Sequence, residues 1–495
     1  MLSLTVVMIG LGANPTESPK ESPKESPAEL AAWIDAKLEA SWRAKGLPVR
    51  DMVSDEVFLR RAYLELTGTI PSVAEARDFL ESTSTSKREQ LIRTLLEDKR
   101  FPEHMARQWA RTFAPAGNTR GPLEAWLQAE FRKNTSFDRV TRSLLTATGN
   151  PTTTGPAAFY FAVGNTPEQV TEAVGRGLLG VRLGCAQCHA HPFAPWTQED
   201  FWGLAAFFAG TNAGGQVVDG FAAKITPSDS KTEYAAKFLD GPAPKFEGRR
   251  PPRAVLADWV ATPQNRYFTA NIVNRVWQDL CGTGLVSTID DLDTLTAEER
   301  KEMLDELAAK FAASGFNLRW LIEGICLSKA YQRASSGSAA PGSAQRPVRT
   351  LSPDQVFAAL DQSLGLRKGR GFSPKYTPEG QTLKAQLEGA RGSTPTDFKG
   401  GIPQALLLMN GSFVSQATTL DESMTLRAVV DAPFLKDTEK LDTLFLAAYS
   451  RLPRPAERER MLKLIRAKPD AEYQRQTYAN IFWALLNSPE FVLCP

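Results

Sequence analysis

Apolar residues recur along most of the chain at intervals of three and four positions, the spacing that places them on one face of an α-helix. The first helix is expected to begin near Pro27, with Ser26 as its cap. Further helices of a first lobe are predicted at 59–66 with an end at Gly68, from 72 onward, at 91–96, through 109, 126 and 131, at 137–145 and at 168–183.

The helical pattern is interrupted at residues 211–250, which are rich in Gly, Pro and Asp. Such a composition favours an irregular, weakly β connector. Helical periodicity resumes near Pro251 and is predicted at 267–280, 297–311, 318–331, 352–365, 404–420, 437–450, 455–467 and 470–488, with a Ser/Gly/Ala/Pro linker at 335–347. The expected fold class is therefore mostly α, with two helical lobes, 29–210 and 251–495, joined by the connector.

The first 28 residues lack this pattern. Residues 1–14 include an apolar run, shorter than the roughly 20 residues of a bilayer span, that resembles the core of a secretory signal peptide without its usual basic start. A frayed apolar terminus is the alternative. Residues 15–28 repeat Glu-Ser-Pro-Lys and are expected to form a low-complexity linker. These features predict export to the periplasm or cell surface, and no later stretch is apolar enough for a transmembrane span.

Composition narrows the function classes. With 42% hydrophobic residues in a chain of 495, two or three domains with a large core are expected. The 58 basic and 56 acidic residues nearly balance at a formal charge of +2, which argues against a nucleic-acid partner. Neither a nucleophile elbow, a phosphate-binding loop nor a zinc-protease motif occurs, and the chain has three histidines. Whether the protein is an enzyme stays open on these grounds.

The residues that carry distinctive chemistry are Cys185-Ala186-Gln187-Cys188-His189. The C-x-x-C-H pattern is typical of c-type haem attachment, in which the two thiols bind the porphyrin and the histidine is the proximal iron ligand. Such attachment requires export, which the apparent signal segment meets. The predicted cofactor is therefore haem c, held by Cys185, Cys188 and His189 at the C-terminal end of the helix near 168–183.

Other chemistry suits the same segment. Cys185, Cys188, His189 and His191 offer four ligands for zinc or another divalent metal, although closed zinc sites usually draw their ligands from two separated segments. A redox or structural disulfide is a further alternative, without the βαβ pattern that often accompanies one. His191 is expected to make a hydrogen bond behind the haem ligand or to act as an alternative metal ligand.

The sixth iron ligand of a bound haem stays open. His104, Met105 and Met409 are chemically suited, and a vacant position would favour small-ligand or peroxide chemistry. The simpler interpretation of His104 is a solvated surface histidine.

Two further groups receive simple interpretations. Cys281 and Cys326 are expected to be buried helix thiols, although an oxidising compartment would allow them to pair. The acidic run of Asp290, Asp291 and Asp293 suits a cation such as calcium, but a solvated loop before a helix is favoured.

Long motifs in a fixed order resemble a family of exported two-domain proteins abundant in planctomycetes. First-lobe motifs are Asp55 to Arg61, Leu66-Thr67-Gly68, Thr146 to Gly149 and Leu179 to Phe193. Second-lobe motifs are Leu256 to Trp259, Asn274 to Trp277, Gly284-Leu285-Val286 and Trp483 to Ser488. The family joins a planctomycete-type cytochrome c domain to a C-terminal domain of unassigned function, and the resemblance covers nearly everything from residue 50 to the end.

The resemblance implies haem at Cys185, Cys188 and His189, and association with exported sulfatases or polysaccharide breakdown. The family commonly has aspartate where this chain has Ala190 and Ala194. That departure leaves the haem pattern intact and argues against a carboxylate-dependent metal or catalytic role here.

Three hypotheses about function follow. The first is an exported c-type cytochrome-like protein in electron transfer, or the redox partner of a larger assembly. The second is a non-haem exported protein of polysaccharide processing or cell-surface organisation, with a metal or a disulfide at the Cys/His motif. The third is a structural or scaffolding protein whose helical C-terminal lobe binds partners. The expected partners are a redox protein or an exported sulfatase or polysaccharide-degrading system.

Overall fold

The computed structural model describes residues 25–47, 49–115, 120–213, 215–286, 289–292, 303–336, 346–365, 378–389 and 412–495. α-Helices dominate these ranges and the strands are short, which confirms the mostly α fold class. The helices before the connector are α1 Pro27–Ala44, α2 Asp55–Leu66, α3 Val73–Glu81, α4 Lys87–Glu97, α5 Arg100–Phe113, α6 Gly121–Arg132, α7 Phe137–Leu145, α8 Ala158–Val163, α9 Pro167–Val174 and α10 Gln198–Ala205.

The helices after the connector agree with most of the predicted segments. They are α11 Pro252–Val260, α12 Arg266–Cys281, α13 Leu304–Ala313, α14 Leu318–Leu327, α15 Lys329–Gln332, α16 Pro353–Leu364, α17 Pro378–Gly389, α18 Ser412–Ala417, α19 Met424–Val430, α20 Asp437–Tyr449, α21 Pro455–Ile465 and α22 Ala471–Leu486. None of the helices in the described ranges is both long and apolar enough to cross a bilayer.

Local sequence explains where several helices begin and end. At the predicted start of α1, Ser26 accepts a hydrogen bond from the backbone of Glu29, whose carboxylate accepts one from the backbone of Ser26. The same reciprocal cap joins Ser72 and Glu75 at α3. α12 ends at Gly282, whose φ of 83° lies in the left-handed region that glycine adopts without a Cβ clash.

Two predicted helices have different limits in the structure. The segment 168–183 is helical to Val174 and continues as one π-helical turn, Gly175–Leu179, before the chain leaves the helix. The segment 318–331 divides at Ser328, whose ψ of 150° breaks α14 and whose side chain caps α15. Periodic apolar positions continue through both breaks, so the pattern alone did not reveal them.

Some predictions fall outside the described residues. These are the signal-like segment 1–14, most of the linker 15–28, Met409, Asp293, residues 297–302 of the predicted helix 297–311, residues 337–345 of the linker 335–347 and residues 404–411 of the segment 404–420. Of the segment 404–420, the described helix is α18.

The connector contains four two-residue strands. β1 Asn212–Ala213 pairs antiparallel with β2 Gln216–Val217, and β3 Lys224–Ile225 pairs antiparallel with β4 Tyr234–Ala235. The remaining described residues between 211 and 250 are turns and irregular chain. This agrees with the predicted weakly β character.

Short strands also bring distant segments together. β5 Ser335–Ser336 pairs parallel with β6 Arg346–Pro347, while β7 Arg349–Thr350 pairs antiparallel with β8 Leu493–Cys494. As a result, Arg60 of α2 donates to the carbonyl of Phe491 at 2.6 Å.

Two clusters of buried apolar side chains form the interior. The larger draws on residues from Leu30 to Tyr331, on both sides of the connector, and on Leu446 of α20. The smaller extends from Leu351 to Cys494 and also includes Leu64 of α2. Helices on both sides of the connector therefore pack on one buried core. The domain limits 29–210 and 251–495 stay a prediction.

Candidate functional site

The chain reaches the Cys/His motif through the π turn and a left-handed glycine. Gly180, at a φ of 68°, ends the π turn. A Cβ at this glycine would lie 2.9 Å from Oδ1 of Asn271 in α12 and 2.8 Å from the side chain of Leu292. Both the backbone conformation and the close packing therefore require glycine here. The segment that leads to the motif is held against the second lobe.

The motif itself forms one 3₁₀ turn, Gly184–Gln187. The backbone amides of Cys188 and His189 both donate to the carbonyl of Cys185, at 3.4 Å each. Ala186 is buried, whereas Cys185 and Cys188 are exposed and carry free thiols. The turn is therefore anchored by a small apolar side chain and presents both sulfurs to solvent.

Helix α10 holds the far side of this turn. The indole of Trp202 donates to the carbonyl of Gln187 at 3.1 Å, and the amide of Gln198 donates to the carbonyl of Cys188 at 2.9 Å. α10 in turn begins at a reciprocal cap between Thr197 and Asp200. The two cysteines thus occupy a turn whose carbonyls are bonded from a neighbouring helix.

His189 is exposed and held through one ring nitrogen. Its Nδ1 lies 2.8 Å from the carbonyl oxygen of Ala190, which can only accept, so Nδ1 carries the proton. The lone pair of Nε2 is then available to a metal. A backbone carbonyl as the partner of the other ring nitrogen is typical of iron-ligating and zinc-ligating histidines.

The ring of His191 is hydrogen-bonded to the backbone of the residues that follow it. Its Nδ1 accepts the backbone amides of Phe193 at 3.2 Å and Ala194 at 3.0 Å. Its own amide donates to the carbonyl of Trp196 at 2.8 Å. The hydrogen bond expected of His191 is therefore made to its own loop, and Nδ1 is not free for a metal.

The loop also exposes an apolar ring. Phe193 is 86% exposed, although it follows directly on residues that hydrogen bonds hold in place. A phenyl ring in water is unfavourable, and its burial against an apolar group would gain free energy in proportion to the area covered. The loop therefore offers two thiols, one imidazole lone pair and one apolar surface beside each other in sequence.

This donor set fits a covalently attached haem better than a closed metal site. Cys185, Cys188 and His189 are exposed, unpaired and available. Within the ranges that the structure describes, no three or more His, Cys, Asp or Glu side chains lie together as a metal-holding group. The four ligands considered for zinc, which include His191, are thus not gathered around one point in this arrangement.

His104 is buried, which corrects its interpretation as a solvated surface histidine. It is 6% exposed and lines a cavity of about 380 Å³ that includes no residue of the motif. Burial first, and then the charge of Arg107, lowers the pKa of His104 to about 3, so its ring is neutral at neutral pH. Met105 is also 6% exposed and belongs to the larger apolar core. Among the residues that the structure describes, no contact brings either side chain to His189.

The two described aspartates of the acidic run are paired with arginines instead of being simply solvated, whereas Cys281 and Cys326 are the buried free thiols that were expected. Asp290 pairs with Arg275, and Asp291 lies 3.4 Å from Arg182, so arginines balance these carboxylates. Cys281 is a buried free thiol, and burial raises its pKa to about 12. Cys326 is likewise buried and free. Both thiols are therefore protonated and poorly reactive at neutral pH.

The residues that sequence reasoning missed line the cavity beside His104. Charged and polar side chains from separate parts of the chain meet there, and they include Glu65, Arg107, Arg176, Gln278 and Arg349. No local spacing marks them, because each belongs to a different element and their neighbours are set by packing. Only the motifs Asp55 to Arg61 and Asn274 to Trp277, which lie next to them in sequence, drew attention to these segments.

Comparison with known families yields two matches. Residues 33–213 match PSCyt2, described as "Protein of unknown function (DUF1549)", and residues 252–357 match PSD1, described as "Protein of unknown function (DUF1553)". No curated protein and no solved structure matches the chain. The first matched region contains the Cys/His motif, and both regions contribute residues to the cavity.

Proposed function

The chain belongs to a family in which a planctomycete cytochrome-like domain precedes a domain of unknown function, and from this premise we propose that it is an exported c-type haem protein. Cys185 and Cys188 form the thioether links, and His189 supplies the proximal iron ligand through Nε2. A bound haem would supply one-electron redox chemistry. Electron transfer to a partner protein is then the function of the loop.

One observation carries this proposal. Cys185 and Cys188 are free, exposed thiols at one 3₁₀ turn, and the histidine that follows them has only Nδ1 engaged. A structural pair of thiols would more often be buried, as Cys281 and Cys326 are. The three groups that haem c attachment uses are thus all accessible at once.

The loop's own hydrogen bonds assign it a positioning role. Trp202 and Gln198 bind the carbonyls on either side of Cys188, so addition of the thiols to a porphyrin need not unfold the turn. Phe193 provides apolar surface that the macrocycle would cover. His104 and Met105 do not enter the proposal as sixth ligands, because one lines the separate cavity and the other is a core residue.

Export is part of the same proposal, since c-type attachment takes place outside the cytoplasm. The periplasm or the cell surface is the proposed location, and a redox protein or an exported sulfatase or polysaccharide-degrading system is the proposed partner. The accessibility of the loop supports a partner contact there, because electron transfer requires close approach to the haem edge.

The test is a pyridine haemochrome spectrum of the full chain, exported with the c-type maturation machinery co-expressed. A c-type α-band that survives acid-acetone extraction is expected from the wild type. The double variant Cys185→Ser/Cys188→Ser should lose this band, whereas Cys281→Ala, which alters a buried thiol, should keep it. Circular dichroism of all three proteins checks that they fold.

A folded, exported wild type without covalent haem would make the proposal wrong. The disulfide alternative is then decided by mass-spectrometric thiol labelling, because the two cysteines of one turn would resist alkylation until reduced. The metal alternative is decided by elemental analysis of the same sample.

A further inference from the structure

The cavity beside His104 lies where both family-matched regions meet. Its walls come from helices α2, α5 and α12, from the π turn, from β7 and the start of α16, and from Cys494 at the end of the chain. Its volume of about 380 Å³ falls within the roughly 300–1,000 Å³ of small-molecule sites, which often lie between domains. Most of the residues that line it are polar or charged, although their apolar parts make up about half of its surface. A polar ligand of modest size therefore suits it.

The charges of the lining favour an anion. Three of its arginines have carboxylate partners, in the pairs Arg111 with Asp354, Arg275 with Asp290 and Arg349 with Glu65. Two of these carboxylates are also paired with cationic side chains outside the lining, Glu65 with Arg346 and Asp354 with Lys384.

Two other arginines of the lining have no carboxylate partner in the part of the chain that the structure describes. Arg176 donates to the carbonyl of Thr112 at 2.8 Å, which leaves its positive charge unbalanced. Arg107 extends from α5, one turn beyond His104, without an ion pair among the described residues. Together with Asp279, four carboxylates of the lining stand against five arginines, so the lining carries a net positive charge. Guanidinium groups bind carboxylates and phosphates well.

The same lining also contains buried polar atoms that have no hydrogen-bond partner, and some of them are acceptors. Oε2 of Glu65, Oε1 of Gln278 and Nε2 of His104 have no hydrogen-bond partner, although the three residues are 5%, 7% and 6% exposed. An unpartnered buried polar atom is costly and uncommon in native proteins. Nε of Arg349 in the same lining is also buried without a partner, and it can only donate. Oε2 of Glu65 and Oε1 of Gln278 can only accept, so a ligand that satisfies these atoms carries both donors, such as hydroxyl groups, and acceptors.

We propose that this cavity binds a small hydroxylated anion, with Arg107 and Arg176 on its oxyanion and Glu65 and Gln278 on its hydroxyl groups. A sugar acid and a sugar phosphate both have this chemistry. The neutral ring of His104 bonds a further polar group of the ligand through Nε2. The site is separate from the Cys/His loop, residues 184–196, and does not depend on haem for its binding.

Titration calorimetry of the full chain tests this assignment with glucuronate, glucose 6-phosphate, glucose and inorganic phosphate. At least one of the two hydroxylated acids should bind, more tightly than glucose and more tightly than inorganic phosphate. Arg107→Gln and Arg176→Gln should each weaken binding by about tenfold or more, since each removes a charged hydrogen bond. Arg132→Gln, an exposed arginine of α6, is the matched control and should bind as the wild type does.

The arms of the test separate the outcomes. Tighter binding of glucose 6-phosphate assigns a phosphate, and tighter binding of glucuronate assigns a carboxylate. Failure of both acids to bind, equal binding of glucose, or unchanged affinity in both arginine variants would overturn the proposal. Binding should be the same in protein made with and without the maturation machinery, so a failed haem test leaves this result intact.

Discussion

The Cys/His loop, residues 184–196, and the cavity beside His104 are built in opposite ways. The loop is a continuous stretch of exposed chain, and the hydrogen bonds that shape it run mostly to backbone groups, as at Cys185 and Ala190. The cavity takes its walls from elements between Glu65 and Cys494, and it is shaped by buried charged side chains. The loop can therefore be recognised as a motif in the sequence, whereas the residues of the cavity come together only when the chain folds.

The difference also concerns energy. An exposed polar group that loses its partner can bond to water instead, at a small cost in free energy. Substitutions of exposed side chains in the loop should therefore leave the fold intact. A buried charge must keep its partners, because removal of one leaves the other without solvation. We therefore expect substitutions in the cavity to reduce stability, and substitutions in the loop to affect the loop alone.

The largest effect is expected at Glu65, which pairs with both Arg346 and Arg349 and whose side chain is 2% exposed. Glu65→Leu should lower the free energy of unfolding by about 3–5 kcal/mol, since Arg346 is left buried without a carboxylate. Urea denaturation measures this. Glu233→Leu, which removes an exposed carboxylate from its pair with Lys224, should change it by under about 1 kcal/mol. Equal losses of stability in the two variants would contradict the expected difference between buried and exposed carboxylates.

A second test replaces the glycine against which His104 packs. Gly68 has a φ of 71°, and a Cβ there would lie 2.4 Å from Nδ1 of His104. Gly68→Ala should cost about 2–4 kcal/mol of unfolding free energy, from backbone strain and from displacement of the ring. Gly46→Ala is matched in φ, at 63°, but has no neighbour within 4 Å. It should cost only about 1–2 kcal/mol, and a similar loss in both would show that His104 is not held by this contact.

The third test uses acid. The pKa of His104 is about 3 in the folded chain against an ordinary 6.5, so the unfolded chain binds a proton between these values and the folded chain does not. Stability should therefore be full above pH 6.5 and fall by about 1.4 kcal/mol per pH unit below it, until pH nears 3.

His104→Gln should remove that part of the slope, which amounts to about 2–3 kcal/mol at about pH 4.5. Denaturation curves at several pH values measure it. Met105→Leu, on the same helix and without a titrating group, should keep the slope of the wild type. An unchanged slope in His104→Gln would mean that the ring is solvated after all.

The smallest effect is expected in the loop. His191→Ala removes the acceptor of the Phe193 and Ala194 amides and should cost at most about 1 kcal/mol of global stability. Hydrogen exchange at these two amides should nevertheless become faster. His189→Ala, whose ring contacts the carbonyl of Ala190 instead, should leave their exchange unchanged. A large loss of stability in His191→Ala would show that the loop supports the fold.

The helices were largely accessible from the sequence because their signals are local. Ser26 with Glu29 and Gly282 after Cys281 mark ends that the structure keeps. The errors arose where the deciding contact is remote. The helix near 168–183 gives way to a π turn whose end at Gly180 packs on Asn271 of α12, about ninety residues later in sequence.

The sequence by itself determined the helical class, the irregular connector and the spacing of the Cys185-x-x-Cys188-His189 group, since each depends on residues within one or two helical turns. Only the tertiary structure decided that His104 is buried and neutral, that helices on both sides of the connector share one core, and that Arg107 and Arg176 line the same cavity as Glu65. Burial and charge pairing join residues hundreds of positions apart, and no local spacing encodes which of them will meet.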